Sequence, residues 1–303
     1  MKHSFYSNGK LLLSAEYAVL DGAKALALPT KYGQFLTVEE FADSKYLSWK
    51  SLDNEKNIWF QAVFDLKSMN TISSSNIEIS NTALKILQSA LSINPNFLNN
   101  DQGYKLTTRL TFPKDWGLGS SSTLINNIAQ WAEIDPHLLL KDTFGGSGYD
   151  IACAQHNTPI TYKLIEGIPT VNEVTFNPAF KDQLYFIYLN KKQNSREGIS
   201  SYRKQEFDTK ELIRVIDDLT SKMISCSNIN TFEIVLQLHE SAISQTLGIP
   251  TVKSELFPDY PQAIKSLGAW GGDFIMVVGN SKSMDYFRKK GYETIIPYSE
   301  MIL

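Results

Sequence analysis

Over residues 103–112 the chain alternates: Tyr104, Leu106, Thr108, Leu110 and Phe112 on one side, Lys105, Thr107, Arg109 and Thr111 on the other. A period of two predicts a half-buried strand. Further on the spacing changes, and Leu124, Ile125, Ile128, Ala129 and Ala132 recur at helical intervals. Between the two lies Pro113-Lys-Asp-Trp-Gly-Leu-Gly-Ser-Ser-Ser-Thr123. The centre of the chain therefore reads as strand, Gly/Ser loop, helix.

The same patterns place the other elements. Residues 4–6 and 10–13 read as a short strand broken at Asn8-Gly9, and Asp21-Gly22 as a turn. Residues 25–28 and 33–39 are strand-like, and 43–60 read as a hairpin about the polar turn 53–57. Residues 82–91 carry Ala83, Leu84, Ile86, Leu87, Ala90 and Leu91, an amphipathic helix, and 94–102 form a polar loop. Asp135-Pro136 starts a helix over 136–142, a flexible turn at 145–148 opens another at Tyr149, and 158–163 return to strand. A second half begins near Asp182. It holds strands at 184–189, 273–279 and 293–297 and helices at 208–225, 231–247 and 283–290. A loop is expected at 256–259 and a short helix at 263–267. Strands alternating with helices predict α/β layers.

Composition narrows the class. A chain of 303 residues, 43% hydrophobic and 20% charged, is ordinary for a soluble globular protein of two domains, expected at 1–181 and 182–303. A net charge of −3 favours neither nucleic acid nor an anionic membrane as partner. Two cysteines, Cys153 and Cys226, make no disulfide framework and read as core thiols. The first residues lack the apolar core of a signal peptide, and no run of 18 apolar residues occurs. The expectation is a cytoplasmic protein with a small-molecule substrate; oligomeric state leaves no mark on the sequence.

The Gly/Ser loop is the first candidate for chemistry. Gly117 and Gly119 allow close approach of the backbone, and Ser120, Ser121 and Ser122 bring hydroxyls and N–H donors to a helix start, which suits a phosphate. An ordinary loop with a serine N-cap has the same features. The loop is not a P-loop, since no lysine follows its second glycine, and it lacks the third glycine of a dinucleotide fingerprint. Residues 191–196 add a basic loop in which Ser195 can cap a helix while Lys192 and Arg196 face a carboxylate or phosphate; a solvated loop has the same composition. The four histidines show no metal spacing.

The loop resembles the P-x-x-x-G-L-G-S-S motif of the GHMP small-molecule kinases, matched by Pro113, Gly117, Leu118, Gly119, Ser120 and Ser121. Residues 9–22, GKLLLSAEYAVLDG, are similar to the family's first motif and most similar to that of mevalonate and phosphomevalonate kinases. Residues 146–154 resemble their G-S-G-x-D segment, and residues 265–273, KSLGAWGGD, their third, Gly-rich motif. The resemblance implies a two-domain α+β fold with a ferredoxin-like C-terminal half, and ATP and magnesium as cofactors. It implies Asp150 as catalytic base, at a helix start that also suits a capping aspartate, and Lys10 beside it as the cation that steadies the phosphoryl group. Residues 117–122 would cradle the nucleotide, with Ser121 or Ser122 on magnesium. Glu16, Tyr17, Ser147, Gly148, Gly268, Gly271 and Gly272 would line the substrate, with an ion pair the alternative role for Glu16. Three departures stand out: Ala15 and Trp270 replace glycines, and neither Glu133 nor Asp142 aligns with the family's magnesium-binding glutamate. The expected activity is ATP-dependent phosphoryl transfer to a small isoprenoid precursor, most readily mevalonate. The alternatives are a phosphomevalonate kinase and a catalytically silent ligand-binding protein of the same fold.

Overall fold

A computed structural model describes residues 1–42, 44–98 and 102–303. Asp43 of the expected hairpin and residues 99–101 of the expected polar loop lie outside the described residues. The chain forms two compact units: 1–9, 32–114 and 118–155 in the first, 10–31, 115–117 and 156–303 in the second.

The first unit is built on strands β1 (Lys2–Leu12), β2 (Ala25–Ala42), β3 (Tyr46–Leu52), β4 (Ile58–Asp65), β5 (Asn70–Ser74) and β6 (Gln102–Leu110), and on helices α1 (Ile77–Ile93), α2 (Ser120–Ala132), α3 (Pro136–Thr143) and α4 (Tyr149–Gln155). β1 and β2 each run on into the second unit. The sheet order is β5-β4-β3-β6-β2, with β3 and β6 parallel and the other pairs antiparallel. The alternation read on β6 is the one observed: Tyr104, Leu106, Thr108 and Leu110 are buried. Tyr104 and Leu106 join a core of Leu36, Val38, Leu47, Trp49, Phe60 and Phe64 from the sheet with Ile86, Leu87, Ile125, Ile128 and Leu139 from the helices. Each such side chain contributes roughly 1.5–3 kcal/mol by leaving water. On α1 the buried set is Ser80, Ala83, Ile86, Leu87 and Ala90, one face at helical spacing, and Asn76 caps the helix by accepting from the Ile79 N–H.

β1 is continuous through Asn8-Gly9 where a break was expected. Its buried polar residue Ser7 is satisfied from α2: Ser7 donates to Asn127 Oδ1 and accepts from Asn126 Nδ2, each at 2.8 Å. β2 is likewise one strand where two runs were read. Pro29 lies between its two paired segments, residues 25–27 against the strand after α4 and 34–42 against β6, so its missing N–H breaks no ladder bond.

The second unit adds β7 (Ile160–Ile165), β8 (Ile168–Glu173), β9 (Leu184–Tyr188), α5 (Ser195–Tyr202), α6 (Thr209–Ser225), α7 (Ile229–Leu247), α8 (Val252–Leu256), β10 (Ile264–Ser266), β11 (Phe274–Val278), α9 (Met284–Lys289), β12 (Ile295–Pro297) and α10 (Tyr298–Met301). β7 pairs with the start of β2 and with β8. The other four strands form an antiparallel sheet in the order β10-β11-β9-β12. With helices between β9 and β10 and between β11 and β12, this is the β-α-β-β-α-β ferredoxin-like arrangement that the motifs implied. Residues 263–267 contribute a strand where a short helix was expected. Ile264, Lys265 and Ser266 are buried alike, so the run has no solvent face, and so short an apolar run carries no period to tell helix from strand. Among the described residues no helix is long and apolar enough to cross a membrane.

Candidate active site

In the first unit, β6 delivers the Gly/Ser loop and α2 receives it. Leu118 is fully buried and anchors the loop. Gly119 is the N-cap of α2 with φ +87°, a left-handed conformation in which glycine alone is unstrained, and no side chain caps the helix. The serine cap is thus replaced: Ser122 Oγ turns back to donate to the Gly119 carbonyl at 2.8 Å, while Thr123 Oγ1 donates to Gln34 Oε1 at 2.9 Å. The first turn presents backbone N–H groups without a side-chain acceptor, as a phosphate requires. Ser121 is exposed and Ser120 half-buried, and the donating Ser122 keeps its oxygen lone pairs for a cation. The first turn of α2 carries no acid.

The orientation of α2 comes from a buried polar network that sequence reasoning missed. Besides the Ser7 bonds, Asn127 Nδ2 donates to the Gln34 carbonyl at 2.9 Å. Asn126 and Asn127 stand outside the apolar stripe of α2, where a polar pair reads as a solvated face, yet both are buried. Asp150 lies in the first turn of α4, which packs on α2. Gly148 precedes it with φ +86°, and the Gly148 carbonyl accepts from the Ile151 and Ala152 N–H groups at 3.1 and 3.2 Å. Asp150 and Ser147 are half-buried and Gly148 is buried.

In the second unit, Lys10 Nζ donates to the carbonyl of Gly117 at 3.2 Å. Gly117 has φ +67°, and a Cβ there would stand 2.3 Å from the carboxyl carbon of Asp273. Its glycine is therefore required by a carboxylate of the protein itself. Trp116 packs edge-on against Phe274 at 5.3 Å, and Tyr188 donates its hydroxyl proton to the Asp115 carbonyl at 3.1 Å, so residues 115–117 are tied to β9 and β11 within this unit. Lys192 is exposed, 3.9 Å from Asp115 Oδ1. Asn194, not Ser195, caps α5, accepting from the Arg196 N–H at 3.1 Å; Asn and Ser suit that role about equally, so the helix starts one residue earlier and Ser195 becomes its first residue.

Glu16 is 0% exposed. It pairs with the equally buried Lys265, whose Nζ also reaches Glu240 Oε1 at 3.1 Å and the Ser266 carbonyl at 2.6 Å. Glu240 Oε2 accepts from Ser266 Oγ at 2.9 Å. Burial pushes the Glu16 carboxyl up to about 7, with the nearby Glu240 charge adding to it, and burial also raises Glu240; Lys265 acts in the opposite direction on both. Burial pulls Lys265 down, but the two glutamates outweigh it and hold the ammonium above its ordinary range. His239 Nε2 accepts from the Ala15 N–H at 3.0 Å, which leaves its proton on Nδ1, and burial with Lys265 nearby keeps the ring neutral. Glu16, His239 and Glu240 have ligand atoms within 4.8 Å of one another, as a metal site would. Lys265 already supplies the cation between the two carboxylates, so the cluster is closed on itself.

This cluster fixes the first motif under the Gly-rich loop. Ala15 and Tyr17 hold left-handed φ of +67° and +61°. Tyr17 is 8% exposed, donates to the Ala269 carbonyl at 2.7 Å and stacks on Tyr202 at 5.7 Å. Gly268 and Gly271 have positive φ and open space where a Cβ would be, whereas a Cβ on Gly272 would meet the Lys191 carbonyl at 2.8 Å. Trp270 keeps a glycine-like φ of +51° while burying its ring.

No family model and no curated protein matches the chain. Solved structures do. Mevalonate kinase of Methanococcus jannaschii superposes with a TM-score of 0.70 at 16% identity, covering 98% of this chain and 97% of that one. Phosphomevalonate kinase of Streptococcus pneumoniae, solved with phosphomevalonate and AMPPNP, gives 0.67 at 15%, covering 97% and 99%. Galactokinase of Lactococcus lactis, complexed with galactose, gives 0.69 at 14%, covering 95% and 88%. The chain has the GHMP-kinase fold. The four segments read as motifs stand at the end of β1, at the start of α2, at the start of α4 and before β11.

Proposed function

We propose that the protein transfers the γ-phosphoryl group of ATP to a small isoprenoid precursor, mevalonate in the first reading and phosphomevalonate in the second. One observation carries it: α2 opens on a left-handed glycine with no side-chain cap, directly after a Gly117 whose carbonyl receives Lys10. An uncapped helix start supplies N–H donors for a phosphate and an ammonium supplies charge, and phosphoryl transfer needs little else from a protein beyond positioning and charge. Solved kinases of mevalonate, phosphomevalonate and galactose share the fold. The second reading is favoured by Asp273 after Gly271-Gly272, the ending similar to that of phosphomevalonate kinases.

In this account residues 117–122 hold the nucleotide phosphates, and Lys10 offsets the charge that develops on the transferred group. An acceptor oxygen attacks the γ-phosphorus, the bond to the bridging oxygen breaks, and ADP leaves. Where the acceptor is a hydroxyl, Asp150 takes its proton. Magnesium, held by Ser121 or Ser122 with phosphate oxygens and water, would neutralise phosphate charge. Release of ADP from ATP, measured across a panel of small alcohols and phosphates, tests the proposal. Release that depends on mevalonate or phosphomevalonate supports it. Nucleotide binding without release on any acceptor would leave a ligand-binding protein.

A further inference from the structure

The phosphotransfer account leaves Asp273 without a task, although its carboxylate packs against the glycine loop. The residue is pinned on both sides: its N–H donates to the Lys191 carbonyl at 2.7 Å and its carbonyl accepts from the Leu189 N–H at 2.8 Å. Its φ is +52°, a left-handed conformation that aspartate tolerates better than most residues. Held in this way, the side chain reaches Gly117, where the space of a Cβ is filled by the carboxyl group at 2.3 Å. Oδ1 accepts from the Gln193 N–H at 3.1 Å. The carbonyl of the same Gly117 receives the Lys10 ammonium at 3.2 Å. Burial raises the Asp273 carboxyl, and the charges of Lys10 and Lys192 act in the opposite direction. A carboxylate and an ammonium thus meet around one residue of the loop.

We propose that Asp273 is the positioning residue for Lys10: packed on the α-carbon of Gly117, its carboxylate fixes the Gly117 carbonyl and holds the Lys10 ammonium on it. A free lysine side chain carries rotamer entropy, which an anchored cation does not lose again when charge develops in front of it. The anchoring rests on this unit's geometry alone; its effect on turnover rests on the kinase reading above. The side chain has a second effect of opposite sign. A carboxylate near the cradle repels phosphates, so removing its charge favours nucleotide binding while disfavouring chemistry.

The test is Asp273→Asn, which keeps the size and the acceptor for the Gln193 N–H, with Asp273→Ala as the larger change. In ¹H–¹⁵N spectra of lysine-labelled protein, the ammonium signal absent from Lys10→Met is the probe. It is expected to be visible in the wild type and lost to solvent exchange in Asp273→Asn. In turnover, kcat should fall roughly tenfold with KM for ATP unchanged or lower, and Lys10→Met/Asp273→Asn should match Lys10→Met alone, as for groups acting as a unit. A Lys10 signal unchanged in Asp273→Asn overturns the proposal, as do additive effects in the double variant or a loss of stability with kcat intact. A wild type that turns over no acceptor, with the Lys10 signal still dependent on Asp273, overturns the kinase reading and supports the anchoring.

Discussion

Lys265→Met is the substitution whose cost the structure specifies most closely. Methionine fills the space of the lysine stem and removes only the ammonium. Two carboxyl groups, Glu16 at 0% and Glu240 at 3% exposure, then face each other with no cation between them. Removing one partner of a buried ion pair costs roughly 3–5 kcal/mol, because the partner left behind is an uncompensated charge. Protonation relieves that charge, so the cost depends on pH. In the wild type Glu16 already stands at about 7 against an ordinary 4.5, a gap worth roughly 3 kcal/mol at ~1.36 kcal/mol per pKa unit. A raised carboxyl stabilises the fold fully below its unfolded value and loses that contribution as pH rises through the folded value. Without Lys265 both carboxyls shift further upward, and the loss extends to higher pH. Urea unfolding of wild type and Lys265→Met at pH 5.5, 7 and 8.5 measures the difference with the general effect of pH cancelled. The deficit should approach 3–5 kcal/mol at pH 8.5 and shrink by at least half at pH 5.5. Glu16→Gln should flatten the wild-type dependence between pH 5 and 8. A deficit under about 1 kcal/mol, or one equal at all three values, would refute the reasoning.

Three further outcomes follow from single contacts. Gly119→Val forces a branched side chain into a left-handed N-cap at roughly 1–3 kcal/mol, leaves the chain folded, and should abolish nucleotide binding by titration. Gly198→Ala brings a Cβ to within 2.1 Å of the Tyr17 hydroxyl and should cost about 1–3 kcal/mol in urea unfolding, part of which Tyr17→Phe restores by removing that oxygen. Asp150→Asn should leave nucleotide affinity near wild type and lower turnover about 10²–10⁴-fold for a hydroxyl acceptor, but far less for a phosphate acceptor, which has no proton to give at neutral pH.

The central strand, loop and helix were legible because β6 keeps a period of two and the apolar residues of α2 recur at helical spacing, although α2 is buried on more than that face; α1 buries a single helical face. Other parts left weak signals. β5, Asn70–Ser74, has no buried residue and so no alternation to read. β10 buries all three of its residues, one of them a lysine, and carried neither period. α8, with five residues and Val252 as its buried contact, is too short for one. Cys226, read as a core thiol, is half-buried at the end of α6, where its Sγ donates to the Asn228 carbonyl at 3.4 Å; Cys153 is fully buried. The motifs named the candidate residues but not their surroundings. That Glu16, His239, Glu240 and Lys265 form one cluster depends on contacts across more than 200 residues, which no spacing encodes. The pairing of Gly117 with Asp273 was hidden in the same way, since each glycine reads as ligand space until the fold shows what fills it.

The claim that this chain is a kinase is tested most directly by ³¹P NMR of the purified protein with ATP, magnesium and either mevalonate or phosphomevalonate. The account predicts that the γ-phosphorus signal declines while a phosphomonoester signal grows with mevalonate, or a diphosphate pair with phosphomevalonate, and that ADP appears in equal amount. ATP unchanged with both acceptors, while titration shows the nucleotide bound, would contradict it.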